Sequence, residues 1–217
     1  MTFSLSGPLS GLVEAAQAAP IVPVLVVDEI SDAAPLARAL REGGLTIAEV
    51  TLRTPAGFAA IDAMKAAEPD LLVGAGTVLT GTDVERSLAA GADFLVSPGM
   101  SPGLLAALGD NRRLMIPGVA TASEAMSRHE EGFDLLKLFP ASIAGGIPAL
   151  RALAAPLPHL KFMPTGGISA KDAGDYLALP NVVAVGGSWI ATGEDVAHKN
   201  WAEISRKASA ALAVASV

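Results

Sequence analysis

The chain of 217 residues carries 22 acidic and 15 basic side chains, which gives it a formal net charge of −7. Because 51% of its residues are hydrophobic and 17% are charged, the chain is expected to fold around a large core rather than to remain disordered. The acidic balance opposes a polyanionic partner, so the composition does not fit a nucleic-acid-binding protein.

Residue types that commonly build metal sites are scarce. The sequence contains no cysteine, which excludes thiol nucleophiles, disulfides and thiolate ligands. Its histidines, His129, His159 and His198, are far apart in sequence and match no metal-binding motif. The first twenty residues include Glu14 but neither Lys nor Arg, and the longest apolar stretch, Ala18–Val27, is far shorter than the roughly 20 residues of a membrane span. We therefore expect a cytoplasmic protein that binds neither metal nor membrane.

Eight short apolar runs alternate with stretches that carry helix signals, a pattern that predicts repeated strand–helix units and a parallel sheet. The runs begin about 20–27 residues apart, which is the length of a strand, a loop and a helix of two to four turns. The predicted strands are Ile21–Val27, Thr46–Leu52, Leu71–Ala75, Phe94–Ser97, Leu114–Pro117, Leu135–Phe139, Phe162–Thr165 and Val182–Gly186.

Eight consecutive units without a linker between them predict an α/β fold of the (β/α)8 TIM-barrel type, formed by a single domain over residues 1–217. A helix over Leu9–Ala19 is expected to lead into the barrel and to close its bottom, and Asn200–Leu212 is expected to form the last helix. The alternative is a doubly wound parallel sheet, which usually has fewer strands and a glycine-rich nucleotide fingerprint after the first one. Because no such fingerprint follows Ile21–Val27, we favour the barrel.

The second predicted strand carries two charged residues on one face. Because side chains alternate along a strand, Glu49 and Arg53 lie opposite the apolar Ala48 and Val50, which fit against the helices. The charged pair is then expected to point into the barrel lumen, near the carboxyl ends of the strands where TIM barrels have their active sites. An ion pair that only braces the barrel is the alternative, but burying charge there is costly unless it is used.

Lys137 is the only one of the six lysines that lies within an apolar strand. It shares a face with Leu135 and Phe139 and is expected to point into the lumen. An amine in such a setting can act as a nucleophile, which suits Schiff-base formation with a carbonyl substrate. The alternative is a purely structural pairing of Lys137 with Glu49.

Two glycine pairs close the last two predicted strands, in Thr165–Ser169 and Gly186–Ser188. The loops after strands seven and eight of TIM barrels often bind phosphate, because glycine lets backbone N–H groups approach the oxyanion. One such pair could simply end a strand, but two at these positions predict a phosphorylated substrate. After the third strand, the Thr77 hydroxyl can bind a carboxylate or hydroxyl group, although an ordinary turn is the alternative there.

Seven motifs succeed one another in the order Glu49–Thr54, Val73–Val78, Ser97–Gly99, Ile116–Gly118, Lys137–Pro140, Pro164–Ile168 and Gly186–Trp189. This series resembles the bacterial 2-keto-3-deoxy-6-phosphogluconate aldolases, a family that often also cleaves 4-hydroxy-2-oxoglutarate. The resemblance extends from about Ile21 to Trp189, nearly the whole predicted barrel. One departure is Leu138, where relatives often have an aromatic residue. Because Leu138 faces away from the lumen side of its strand, we expect the difference to affect packing rather than chemistry.

The resemblance implies a class I aldolase in which Lys137 forms a Schiff base with the substrate ketone and Glu49 acts as general acid and base, through a water. It implies a homotrimer that needs neither a metal nor a cofactor. The implied ligands are pyruvate and a phosphorylated 2-keto sugar acid. Its implied binding residues are Arg53 and Thr77 at the pyruvate carboxylate, Phe139 and Pro98 beside the pyruvate, Thr165 near the hydroxyl-bearing end, and Gly166, Gly167, Gly187 and Ser188 at the phosphate.

Three alternatives stay open at the level of sequence. The main substrate could be 4-hydroxy-2-oxoglutarate or the galactonate epimer, because contacts that distinguish epimers are worth only a few kcal/mol. A phosphate-binding barrel isomerase or synthase without a covalent step shares the glycine loops but gives no reason for a lysine within the sixth strand. A non-catalytic barrel that senses a phosphorylated metabolite would bind its ligand without needing Lys137.

Overall fold

The computed structural model describes the backbone of residues 9–215 and the side chains of residues 9–213. Its strands are β1 (Ile21–Leu25), β2 (Ile47–Thr51), β3 (Leu72–Gly76), β4 (Phe94–Val96), β5 (Met115–Ile116), β6 (Gly118–Val119), β7 (Leu135–Leu138), β8 (Lys161–Phe162) and β9 (Val185–Gly187). Its helices are α1 (Ser10–Ala18), α2 (Ile30–Glu42), α3 (Gly57–Ala67), α4 (Gly81–Ala89), α5 (Pro102–Leu108), α6 (Ala122–Glu130), α7 (Gly146–Ala154), α8 (Ala173–Leu177), α9 (Gly193–Ala197) and α10 (Trp201–Ala215), with a 3-10 helix at Gly109–Leu114.

The strands form an α/β fold with a curled, parallel half-barrel sheet, which confirms the predicted class. Strands pair in the order β5-β4-β3-β2-β1-β9, and a second set pairs in the order β6-β7-β8. Two isolated parallel bridges, Phe162 with Val182 and Thr165 with Gly186, lie between β8 and β9. The carboxyl ends of these strands therefore point the same way, which brings the loops that follow them to one face of the sheet.

Strand lengths differ from the prediction in the later units. The predicted fifth strand, Leu114–Pro117, corresponds to β5 alone, since β6 begins after Pro117, and β8 ends at Phe162, before Pro164. Proline has no backbone N–H, so it interrupts the ladder of hydrogen bonds at each of these points. The predicted eighth strand begins regular pairing only at Val185, three residues later than expected.

Apolar side chains from opposite faces of the strands form two separate clusters. One contains Leu12 and Val13 of α1 together with inward-facing residues of the sheet such as Val22 and Leu135. The other cluster contains residues on the opposite face of the strands, such as Leu136. These residues pack against the surrounding helices. The two clusters confirm the predicted alternation, and the inner one fills the space near the amino ends of the strands. Polar residues further along the same inward face consequently lie toward the carboxyl ends.

Local hydrogen bonds set where several helices begin. The Ser101 hydroxyl accepts from Leu104 N at the start of α5, and Thr121 and Glu124 form a reciprocal capping box at the start of α6. From the sequence, Thr82 is the expected cap of a helix over Asp83–Ala90, but the residue that caps α4 is Thr80, so this prediction is wrong. No helix within residues 9–215 combines the length and the apolar character needed to cross a bilayer.

Candidate active site

An ion pair between Lys137 and Glu49 lies at the centre of the inward face. The Lys137 Nζ atom is 3.1 Å from Glu49 Oε1 and 3.5 Å from Oε2. Both side chains are almost fully buried, with 5% of Lys137 and 1% of Glu49 exposed. A carboxylate and an amine held in this way could exchange a proton with each other or with a bound substrate. The structure therefore brings the two predicted residues together, buried on the inward face of the sheet.

Backbone geometry explains how these two side chains meet. Glu49 lies on β2 and Lys137 on β7, and each occupies an inward-facing position two residues beyond the apolar cluster, after Ile47 and Leu135 respectively. Glycine at position 76 on β3 leaves room for the carboxylate, since a Cβ atom there would overlap Glu49 Oε1. In register with Lys137, Gly118 lacks a side chain as well. Small residues on neighbouring strands thus give two long polar side chains the space to face each other.

Arg53 follows the end of β2 on the same face as Glu49. Its Nε atom donates a hydrogen bond to the Thr77 hydroxyl at 3.2 Å, across to the end of β3. Thr77 has φ +62, a left-handed conformation that is unusual for a β-branched residue. The guanidinium is exposed and can bind an anionic group at the opening of the lumen.

Beside the ion pair lies a pocket of about 180 Å³, which the glycine-rich loops help to form. Lys137 lies close to this pocket, because its Nζ atom is 5.1 Å from the centre of the ring of Phe139, which lines the pocket. The lining residues are Val24, Arg53, Phe139, Thr165, Gly166, Gly167, Ile168, Gly186, Gly187 and Ser188.

The glycine loop after β8 has the backbone of an anion-binding turn. Gly166 and Gly167 have φ of +99 and +73, and a Cβ atom on Gly167 would overlap the Ser142 hydroxyl. Among the hydrogen bonds of the described residues, neither of these two N–H groups has a protein acceptor. Consecutive N–H groups in such a turn can converge on a phosphate oxygen. The Ser188 hydroxyl and the Arg53 guanidinium line the same pocket and would add further donors.

The structure brings together most of the predicted site residues. Seven of the nine predicted binding residues line the pocket, and Thr77 is joined to it by its bond with Arg53. Pro98 is not among the lining residues of this pocket; its carbonyl group instead lies against Gly118.

Sequence reasoning did not select Val24, Ile168 or Gly186 as site residues, although all three line the pocket. For Val24 and Gly186 the signal was the strand alternation, since Val24 pairs with Glu49 in register and Gly186 bridges to Thr165; Ile168 lies in the loop and had no such signal. Within the described residues, no group of three or more His, Cys, Asp or Glu side chains is arranged to hold a metal ion.

A methyl group at position 76 is expected to displace the Glu49 carboxylate from Lys137. We expect Gly76→Ala to lower kcat of the reaction carried out at this site by about 10²-fold, the effect of a misplacement of about 1 Å in a catalytic group. Steady-state kinetics and circular dichroism would be measured on the same preparation. Gly103→Ala is the matched control, because a Cβ atom there makes only one ordinary contact, at 3.9 Å from Ser101 Oγ. Equal kcat in the two variants would contradict the role of Gly76.

Comparison with known proteins gives this site its class. A family model described as "Aldolase: KDPG and KHG aldolase" matches residues 12–207, which places the protein among the aldolases. A 2-dehydro-3-deoxy-phosphogluconate aldolase of Pseudomonas aeruginosa is 43% identical over 192 residues, covering 88% of this chain and 87% of the relative. The KHG/KDPG aldolase of Escherichia coli K12 is 41% identical over 193 residues, covering 89% and 91%. The chain belongs to the KDPG and KHG aldolase family.

Solved structures agree with this assignment. The KDPG aldolase of Legionella pneumophila, captured with pyruvate as a covalent carbinolamine, superimposes with a TM-score of 0.88 at 45% identity, covering 94% of this chain and 98% of that one. The Zymomonas mobilis enzyme with 3-phosphoglycerate gives a TM-score of 0.85 at 40% identity, covering 95% and 97%. The half-barrel arrangement described above is therefore shared with known KDPG aldolases.

Proposed function

We propose that this protein is a class I aldolase that reversibly cleaves 2-keto-3-deoxy-6-phosphogluconate into pyruvate and glyceraldehyde 3-phosphate. The observation that carries the proposal is the buried Lys137 amine, 3.1 Å from the Glu49 carboxylate and beside a glycine-lined pocket. The names of the relatives support the substrate, and the Legionella structure with a pyruvate carbinolamine supports a covalent step in the family.

In the proposed reaction, Lys137 gives up a proton to solvent and its neutral amine attacks the C2 ketone; loss of water, with uptake of one proton from solvent, then gives a cationic imine. Glu49 accepts the proton of the C4 hydroxyl, directly or through a water. The C3–C4 bond then breaks, its electron pair moves toward the imine, and glyceraldehyde 3-phosphate leaves. The resulting enamine takes a proton at C3 from Glu49, and water hydrolyses the imine to release pyruvate and the free amine.

The remaining predicted residues would hold the two ends of the substrate. Arg53 and Thr77 would bind the carboxylate, and Phe139 and Pro98 would enclose the pyruvate part. The hydroxyl of Thr165 would contact the hydroxyl-bearing carbons. Backbone groups of the glycine loops and Ser188 would bind the phosphate, and this remote binding energy would align the C3–C4 bond for cleavage. The residues proposed to bind the phosphate are Gly166, Gly167, Gly187 and Ser188.

We further propose that the sheet closes into the complete (β/α)8 barrel as one domain over residues 1–217, with α1 closing its bottom. Two observations support closure: Pro117 alone separates β5 from β6, and the Thr165–Gly186 bridge lies between the last two units. The contacts of Leu12 and Val13 with the inner apolar cluster support the role of α1. The family resemblance supports a homotrimer in the cytoplasm, and light scattering of the purified protein would test the oligomeric state.

The substrate assignment is tested by measuring pyruvate release from the phosphorylated sugar acid and from the unphosphorylated 4-hydroxy-2-oxoglutarate. We expect both to be cleaved, and we expect Gly167→Ala to raise KM for the phosphorylated substrate by at least about tenfold, because a side chain at φ +73 strains the turn and overlaps Ser142. Cleavage of 4-hydroxy-2-oxoglutarate by Gly167→Ala should change less than about twofold, since that substrate has no phosphate to lose.

Gly193→Ala is the matched control for this experiment, because a Cβ atom at position 193 meets nothing within 4 Å. If Gly167→Ala impaired the cleavage of both substrates equally, a phosphate-specific role of the loop would be contradicted. If the folded wild-type protein cleaved neither of the two substrates, the proposed function itself would be overturned.

A further inference from the structure

A second cavity, of about 280 Å³, lies between the segment that follows β1 and the helix α9. Both of its walls come after the carboxyl ends of strands, so it lies on the same face of the sheet as the candidate active site. Val24 lines the active-site pocket, whereas Val26, two residues further along, lines this cavity. The two sets of lining residues do not overlap, so the cavity is a separate candidate site.

Carboxylates dominate the polar lining of this cavity. Asp28, Glu29 and Asp32 contribute three negative charges, and Lys199 contributes a positive one. Within the side chains of residues 9–213, no ion pair joins Lys199 to any of these carboxylates, and none of the three accepts a hydrogen bond from the protein. The protein itself therefore leaves the negative charge of the cavity uncompensated, which favours the entry of a cation.

Asp32 distinguishes this cavity from an ordinary acidic surface. Asp28 and Glu29 are exposed to water, whereas only 8% of Asp32 is exposed. Because Asp32 lines the cavity, the small exposed part of the residue faces it. Its position in the first turn of α2 is electrostatically favourable but supplies no donor to the carboxylate oxygens. A nearly buried carboxylate without a donor is costly, and a ligand that donates to Asp32 from within the cavity would remove that cost.

The lining favours an extended organic cation over a metal ion. Within the part of the chain that the structure describes, no three acidic side chains, these included, are placed to hold one metal ion. The carboxylates of the cavity thus do not converge on a single point, as the ligands of a metal must. Val26, Val196 and Ala197 supply apolar surface to the same cavity. An aliphatic chain can pack on these side chains while ammonium groups at its two ends reach separate carboxylates.

We propose that this cavity is a binding site for a small aliphatic diamine, with one ammonium group donating to Asp32 and the other held by the exposed Asp28 and Glu29. A ligand with two positive charges balances the excess of carboxylates over ammonium groups in the lining. The inference does not depend on the proposed function, because it rests on residues outside the active-site pocket.

Isothermal titration calorimetry with putrescine at low ionic strength tests this inference. We expect one site for each chain, with an affinity that falls about tenfold in Asp32→Asn, because the amide keeps the shape of the side chain but loses the charge-assisted hydrogen bond. Glu29→Gln should weaken binding by less than about fivefold, since that carboxylate is exposed. Asp62→Asn is the matched control, because Asp62 is an exposed carboxylate of α3 outside the cavity, and it should bind as the wild type does.

Lys199→Asn should change the affinity in the opposite direction. Removing the cation from the lining is expected to strengthen putrescine binding about two- to fivefold, because the lysine no longer repels the diamine. Asparagine is chosen because residue 199 has φ +55, a left-handed conformation that asparagine tolerates better than most residues. Added sodium chloride should weaken the binding, as expected for an electrostatic attraction.

Three further probes test the chemistry of the ligand. Butanediol has the same chain length without charge and should not bind, and butylamine, with one charge, should bind about tenfold more weakly than putrescine. Magnesium chloride supplies two charges on a single ion and should bind more weakly than putrescine as well. Magnesium binding as tight as that of putrescine, and lost in Asp32→Asn, would overturn the inference in favour of a metal ion.

Two other outcomes would also overturn it. Absence of putrescine binding by the folded wild-type protein would refute the site, and equal affinity of the wild type and Asp32→Asn would reduce the binding to general attraction by an acidic protein. Should Asp32→Asn not fold, Glu29→Gln and Lys199→Asn still decide the question, because their expected effects have opposite signs. None of these results bears on pyruvate release, so failure of this inference is distinct from failure of the proposed function.

Discussion

Replacing Lys137 with alanine is expected to reduce aldol cleavage to below about 10⁻³ of the wild-type rate, because among the residues that the structure describes no other amine lies in the buried site to form the imine. The nearest carboxylate, Glu49, can accept a proton but cannot form a covalent bond that acts as an electron sink. Borohydride reduction in the presence of pyruvate should leave a stable adduct on the peptide that contains Lys137 in the wild type and none in Lys137→Ala. Peptide mapping by mass spectrometry measures this directly.

Folding of the Lys137 variant needs its own control, because removing one partner of a buried ion pair leaves the other without compensation. Such a loss can cost about 3–5 kcal/mol of unfolding free energy. The double variant Lys137→Met with Glu49→Gln removes both charges and should recover part of that cost. Lys161→Ala is the matched control for labelling, since Lys161 also lies on a strand but at its amino end. Undiminished cleavage by a folded Lys137 variant would contradict the imine mechanism.

The alternation of side chains was the most informative sequence signal. It placed Glu49 and Lys137 on inward faces of two strands that are 88 residues apart along the chain, and the structure brings their charged atoms to 3.1 Å. The same signal extends to Val24 and Gly186, which pair with site residues on neighbouring strands. Periodicity of this kind depends only on backbone geometry, which explains why it survives in the folded protein.

Features that depend on tertiary contacts were harder to predict from the sequence. The cap of α4 was predicted at Thr82, whereas the structure uses Thr80, whose hydroxyl accepts from Asp83 N while the Asp83 carboxylate accepts from Thr80 N. The sequence held a signal for this, because a threonine followed three residues later by an acidic residue is the pattern of a capping box. In contrast, the left-handed backbone of Thr77 has no local sequence signal, since attachments to β2 and β4 impose it.

The buried pair also shows why a structural role and a catalytic role of Lys137 are not exclusive. Each charge compensates the other on the inward face of the sheet, where only 5% of the lysine side chain and 1% of the glutamate side chain are exposed. When the amine forms an imine with a ketone, the nitrogen remains beside the same carboxylate. In the proposed mechanism, Glu49 would then stabilise the cationic imine and move protons at the adjacent carbons of the bound substrate.

Glu49→Gln is therefore expected to separate imine formation from proton transfer. The amide preserves the shape of the side chain but cannot accept the C4 hydroxyl proton, so we expect kcat for cleavage to fall by about 10²–10⁴-fold, the usual contribution of a general base. Borohydride trapping with pyruvate should still label the peptide that contains Lys137, because the attacking amine remains. Glu49→Gln would thus be inactive in cleavage and active in labelling, whereas Lys137→Ala would be inactive in both.

Glu49→Asp is the matched variant for this prediction, because it keeps the carboxylate and withdraws it by one methylene group. We expect it to retain more cleavage activity than Glu49→Gln, since a displaced base can still reach the proton through a water. Circular dichroism would check that both variants fold. Cleavage by Glu49→Gln at the wild-type rate would remove Glu49 from the proton transfer. Loss of labelling in that variant would show instead that the carboxylate is needed to form the imine, so that its role begins one step earlier in the reaction.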